Sequence, residues 1–204
     1  MYALKTGLLP DDASIQKNLD ALVSRIESND NKLETGFLGT AILLQTLTDF
    51  GRGDVAYKLL LQRGYPSWMF TLDQGATTFW ERWNSYSKEN GFGDVSMNSF
   101  NHYSFGVVAE WMYSYMAGIM YDMSRPGFKH IILQPLADAS NNITFVDGSY
   151  DSAYGLIESG WEMTDGNLSY SAVIPANTSA TLYLPADGQS ARHSKGCQCR
   201  NYVG

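Results

Sequence analysis

Apolar and polar positions recur along this chain with two different periods, and the period changes once. In "SIQKNLDALVSRIES", Ile15, Leu19, Leu22, Val23 and Ile26 fall at helical spacing behind the acidic run "DDAS". That pattern predicts an amphipathic helix capped within the acidic run. "TAILLQTLTDFG" is apolar nearly throughout and predicts a second helix stopped by Gly51. "DVAYKLLLQRG" predicts a third, capped by Asp54 and closed by Gly64. "YSFGVVAEWMYSYMAGIM", from Tyr103 to Met120, is apolar on almost every face and predicts a fourth helix, buried all round. Between the third and fourth, Tyr65 to His102 is rich in glycine and polar residues. A stretch of that length is more often functional than idle.

After Pro126 the period shortens to two. "FKHIILQPL", "NNITFVDGSYDS", "AYGLIESGWEM", "NLSYSAVIPA" and "TSATLYLP" are short, rich in β-branched residues and bounded by turn residues. They predict strands, with Asp147-Gly148 and Asp165-Gly166 as hairpin turns. Helices followed by strands, segregated in sequence, imply two domains. The expected division is a helical part over residues 1–122, a small antiparallel β-sandwich over 127–187, and a loose, disordered tail over 188–204. Four helices, one of them apolar all round, cannot cover each other in an ordinary bundle, so the helical part reads as a portion of something larger.

Composition narrows the class. With 204 residues, 44% hydrophobic and 17% charged, the chain can bury a core. A net charge of -7 argues against a nucleic-acid partner, which needs clustered Lys and Arg. No run of 18 apolar residues exists to span a membrane, and the start "MYALKTGLLPDD" lacks a secretory leader; the compartment stays open. Cys197 and Cys199, one residue apart, make a poor disulfide and at most half a metal site.

Chemistry concentrates in "GATTFWERW", where Glu81 stands between Trp80 and Trp83. Two readings apply. Glu81 is a solvated glutamate favoured by a helix dipole, or a general acid or base tuned by apolar walls, beside Trp faces that stack on sugar rings. His102, in "MNSFNHYSFG", is either a cap or core histidine or a ligand contact, and Asn98, Ser99 and Asn101 form a polar cluster suited to sugar hydroxyls. Asp73, Asp94 and Glu110 read as caps or helix-surface groups, and His130 and His193 lack such company. No phosphate-cradling loop, G-x-S-x-G elbow or H-E-x-x-H pair occurs.

"ETGFLGTAILLQTLTDFGRGDVAYKLLLQRGYPSW", "QGATTFWERW" and "MNSFNHYSFGVVAEWMYSYMAGI" together resemble the C-terminal half of a bacterial α-L-rhamnosidase of glycoside hydrolase family 78. "PGFKHIILQP", "SYDSAYGLIESGW" and "VIPANTSATLYLP" resemble that family's C-terminal β-sandwich, so the likeness runs over residues 2–187. The resemblance implies an (α/α)6 toroid, of which residues 2–120 would supply the last third. It also implies an inverting mechanism with Glu81 as general base, His102 as a rhamnose contact, and Trp80, Trp83 and Asn101 lining the substrate site. The general acid would come from a "DGxxRDERxxW" segment that this chain lacks, leaving it inactive alone and open to self-association through the incomplete ring. No metal or organic cofactor is implied; the substrate would be a rhamnose-containing glycoside or polysaccharide. Asn84 and Asp73 depart from the family pattern, as does the tail from Ala186. The rival reading is a non-catalytic carbohydrate-binding or interaction protein derived from such an enzyme.

Overall fold

Asp11 starts the longest helix: its carboxylate accepts the N–H of Ser14 at 2.7 Å. In the computed structural model, which describes residues 1–184, a short α1 (Tyr2–Lys5) precedes this helix, α2 (Asp12–Ser28), and Leu19, Val23 and Ile26 form its buried face. α3 (Phe37–Asp49) buries Leu43, Leu44 and Leu47, and also two threonines, Thr40 and Thr46. Those hydroxyls are bonded within the chain; Thr46 donates to the Ile42 carbonyl at 2.6 Å, which removes the cost of burying them. α4 (Gly53–Leu61) packs on α3 and buries Val55, Ala56, Tyr57, Leu59 and Leu60. Each large aliphatic side chain fully withdrawn here contributes about 1.5–3 kcal/mol.

The ends of α4 differ from expectation. Arg52 is its N-cap and grips both oxygens of Asp54 at 2.9 and 3.0 Å, so that carboxylate does not cap the helix. The helix leaves at Gln62, whose ψ of 128° ends it before Gly64. The aperiodic stretch contains one further helix, α5 (Trp68–Asp73), where Ser67 accepts the N–H of Phe70 at 3.0 Å. A two-stranded ribbon follows, β1 (Tyr86–Ser87) and β2 (Gly91–Phe92).

The fourth helix is the largest correction. Tyr103–Val107 is a 3-10 turn, α6 covers only Val108–Trp111, Met112–Met116 is a π-turn, and Ile119–Tyr121 is a strand, β3. Nor is the segment buried all round, since Met112 and Tyr113 are exposed. An apolar run lacks the periodicity that separates a buried helix from a strand, and Gly118, at a φ of 73°, marks the change.

Two units result, Met1–Trp111 and a second from Met112 onward. The sheet-rich unit thus begins before the Pro-Gly break where the sequence placed the junction. β3 pairs antiparallel with β4 (His130–Leu133). β5 (Phe145–Ser152), β6 (Gly155–Thr164) and β7 (Asn167–Val173) form an antiparallel meander. β8 (Ser179–Leu182) returns to run parallel to β4, which corrects the expectation of a purely antiparallel unit. The meander between β4 and β8 is long enough to serve as the crossover that parallel pairing requires. Ala117, Ile119, Ile131, Leu133 and Ile157 make one core. Asp165-Gly166 is the expected hairpin turn, with φ of 51° and 75°, whereas Asp147-Gly148 lies inside β5. A Cβ on Gly148 would sit 2.5 Å from that of Ala117, so glycine is required there by packing rather than by a turn. The tail over 188–204, with Cys197, Cys199 and His193, lies outside the described residues.

Candidate active site

Two distant segments meet at Glu81. Its N–H donates to the Ser99 carbonyl at 2.8 Å, and the N–H of His102 donates to the Phe79 carbonyl at 2.9 Å. Thr78 adds a hydroxyl bond to the Phe100 carbonyl. These bonds clamp residues 78–81 against 99–102 without forming a regular ladder. The same clamp fixes the carboxylate: the Ser99 N–H donates to Glu81 Oε2 at 2.8 Å. Glu81 is half-buried, and its second oxygen, Oε1, has no hydrogen bond among the described residues.

The two tryptophans hold the loop from either side. Trp80 is buried and meets Phe100 edge-on at 5.4 Å and Tyr86 at 6.3 Å. Trp83 stacks on Phe105 at 3.8 Å and meets Trp68 edge-on at 5.5 Å. Between them Ser85, fully buried, closes the turn: its Oγ accepts the Arg82 N–H at 3.2 Å, and its carbonyl accepts the Gly93 N–H at 2.8 Å and the Asn98 amide at 3.0 Å. Glu81 therefore sits on a short loop between two aromatic clusters, each anchored by one tryptophan.

His102 caps the 3-10 turn at Tyr103, its Nδ1 facing the Ser104 N–H at 3.4 Å. Its ring lies nearly parallel to Phe37, 4.8 Å away, and to Tyr103 at 6.0 Å. Phe37 also meets Phe105 edge-on at 5.0 Å, so an unbroken aromatic row runs from Trp83 to His102. With Nδ1 facing a donor, Nε2 is the nitrogen left for a ligand. No hydrogen bond joins the Glu81 carboxylate to the His102 ring among the described residues; the backbone clamp joins their two segments. Asn101 is exposed beside them, its N–H bonded to the Ser99 hydroxyl at 3.2 Å. The indole N–H of Trp83 and the side-chain oxygen Oδ1 of Asn98 are withdrawn from solvent without a partner.

The remaining carboxylates have other work. Asp73 pairs with Arg63 at 3.1 Å, Asp94 caps a 3-10 turn through the Ser96 N–H, and Glu110 is exposed on α6. His130 bonds Ser179 and Thr181 on the neighbouring strand at 2.7 and 3.0 Å. Ser85 and Phe37 escaped the sequence because nothing in their spacing ties them to Glu81 or His102; only the folded chain does. Among the described residues no three His, Cys, Asp or Glu gather to hold a metal, and no helix is long and apolar enough to cross a membrane.

A carboxylate with one oxygen fixed by backbone and one left open, on a helical scaffold ahead of a sheet-rich unit, fits the class of helical glycosidases. Residues 1–116 match the bacterial alpha-L-rhamnosidase 6 hairpin glycosidase domain, and residues 118–197 match the bacterial alpha-L-rhamnosidase C-terminal domain. The chain belongs to the bacterial α-L-rhamnosidase family. It is 42% identical to an alpha-L-rhamnosidase of Streptomyces avermitilis, covering 92% of this chain and 18% of that protein. With an alpha-L-rhamnosidase of Formosa agariphila it shares 42% identity over 94% of this chain and 20% of the relative. The crystal structure of the Streptomyces avermitilis enzyme complexed with L-rhamnose superposes with a TM-score of 0.84, over 91% of this chain and 18% of that one. That of the Aspergillus terreus enzyme, 32% identical, superposes at 0.86 over 91% of this chain and 21% of that one. The chain thus spans about a fifth of the length of these relatives.

Proposed function

We propose that this chain is the C-terminal portion of an inverting glycoside hydrolase that releases terminal α-L-rhamnosyl residues, built as part of an (α/α)6 toroid followed in sequence by a β-sandwich. Glu81 is the general base. Its open Oε1 takes a proton from water as the water oxygen attacks the anomeric carbon. The departing glycosidic oxygen takes a proton from a carboxylic acid that residues outside this chain supply. Inversion needs room for that water, with the two carboxyls about 6.5–9.5 Å apart. His102 and Asn101 contact the sugar, and Trp80 and Trp83 hold the loop in place from either side. The placement of Glu81 carries this reading: two clamped segments meet at it, and its carboxylate is half-buried with Oε1 left open. The L-rhamnose complex of the Streptomyces avermitilis relative supports the choice of sugar.

The decisive experiment joins this chain to an acid-bearing partner. In a chimera, residues 1–184 replace the matching segment of the Streptomyces avermitilis relative. Hydrolysis of an aryl α-L-rhamnoside, followed by proton NMR, should release β-L-rhamnose first. First release of the α-anomer overturns the inverting assignment, and absence of hydrolysis by a folded chimera overturns the enzyme reading. The chain alone should self-associate, because an apolar hollow lined by Met1, Tyr2, Phe37 and Leu38 stands open and Leu38 is 79% exposed. Sedimentation as a clean monomer would count against that.

A further inference from the structure

The meander β5–β6–β7 carries a cavity of about 300 Å3 that the Glu81 chemistry does not use. Strand register decides what faces it. Phe145 pairs with Glu162, and Glu162 with Ser169; Asp147 pairs with Gly160, and Gly160 with Ser171. Side chains alternate across a sheet, so these six positions share one face. Ile157, Ser159 and Trp161 occupy the other, and all three are buried. Gly160 is the floor. A Cβ there would lie 2.6 Å from Asp147 Oδ1, so only glycine lets that carboxylate lie across the floor. Phe145 stands at the rim, 63% exposed, an aromatic ring that folding has not withdrawn. The side chains of Asp147, Glu162, Ser169 and Ser171 make no hydrogen bond or ion pair among the described residues.

We infer that this cavity is a carbohydrate-binding site separate from the Glu81 region, taking one uncharged sugar residue. The carboxylates of Asp147 and Glu162 only accept, so the ligand presents several donors; the two serine hydroxyls accept or donate as needed. Two like charges beside one floor repel an anionic ligand, which rules out uronic acids. Phe145 offers its face to the C–H side of a sugar ring. The volume lies at the lower end of small-molecule sites, the size of a single sugar rather than a long chain. A divalent cation is disfavoured because the carboxylates number two and no third His, Cys, Asp or Glu joins them. A cationic peptide would satisfy the carboxylates but leave the aromatic rim and the serines unused. The inference stands apart from the hydrolase reading, since no residue of the helical unit takes part in it.

The test is an NMR titration of the whole 15N-labelled chain with L-rhamnose, D-galactose, D-glucuronate and oligolysine in turn. Neutral sugars should shift the amides of residues 145–147, 160–162 and 169–171, while glucuronate leaves them in place. Phe145→Ala and Glu162→Gln, both at exposed positions, should each weaken binding about fivefold with an unchanged melting temperature. Gly160→Val, which fills the floor, should abolish it. A Glu81→Ala control should leave these shifts intact. Shifts with oligolysine alone, equal shifts with glucuronate, or no shifts in these strands with any neutral sugar would overturn the proposal.

Discussion

Glu81 and Asp138 are both carboxylates held by backbone N–H groups, one in each unit, and they are held differently. Asp138 is buried, and both its oxygens are used. Oδ1 accepts the Ser140 N–H at 2.9 Å and its hydroxyl at 2.6 Å, while Oδ2 accepts the N–H groups of Asn142 and Ile143 at 3.0 Å each. Glu81 has one bond on one oxygen. Saturation separates them: Asp138 spends both oxygens on its own loop, whereas Glu81 keeps one oxygen open. Loss of Asp138 should therefore cost stability, and loss of Glu81 should cost function.

The largest stability effect is expected at Asp138. Asp138→Ala removes the acceptor of three N–H groups at once and should lower the unfolding free energy by about 3 kcal/mol, measured by chemical denaturation. Burial alone would raise the Asp138 carboxyl, but the bonds from Ser140, Ile143 and Asn142 outweigh it and hold it below the usual carboxylate range. A carboxyl depressed on folding stabilises the protein above its unfolded value, near pH 4, and that contribution disappears as pH falls through the lower folded value. Wild-type chain should thus lose stability below about pH 4, and Asp138→Ala should lose less over the same range. Equal acid sensitivity in the two would break the comparison.

His102→Ala should come next. In the chimera it should weaken L-rhamnose binding by about 1–3 kcal/mol, read by calorimetry, through the loss of one polar contact and of the ring stacked on Phe37. Unchanged affinity would return His102 to a capping role. The smallest effect is expected for Glu81→Gln on folding. The glutamine side-chain oxygen still accepts the Ser99 N–H, so the unfolding free energy should change by less than about 1 kcal/mol. A larger loss would make Glu81 another Asp138.

The same contrast shows what can be read from the residues alone. α2 was legible because its apolar stripe and its Asp11 cap are local signals. The strands after Pro126 were legible from alternation and the Asp165-Gly166 turn from its dipeptide. Asp147-Gly148 carried the same kind of signal and misled, because its glycine answers to Ala117 across the core rather than to a turn. The run from Tyr103 to Met120 misled as well, since an apolar stretch is silent on helix against strand. Glu81 and His102 could be named as candidates from "GATTFWERW" and "MNSFNHYSFG". The clamp between Phe79 and His102, the buried Ser85 and the stacking of Phe37 on His102 are tertiary, and no spacing encodes them. Asp138 gave no warning either, because one aspartate ahead of "ASNN" looks like any polar loop.

The most direct test of the account is turnover by the Glu81→Gln chimera on an aryl α-L-rhamnoside, set beside its affinity for L-rhamnose. A general base contributes about a hundredfold to ten-thousandfold, and glutamine keeps the shape while losing the proton acceptor. The account predicts a fall in kcat of about a thousandfold, with L-rhamnose binding and melting temperature nearly unchanged. Ordinary turnover in that variant would contradict it, and would leave the open oxygen of Glu81 without a chemical role.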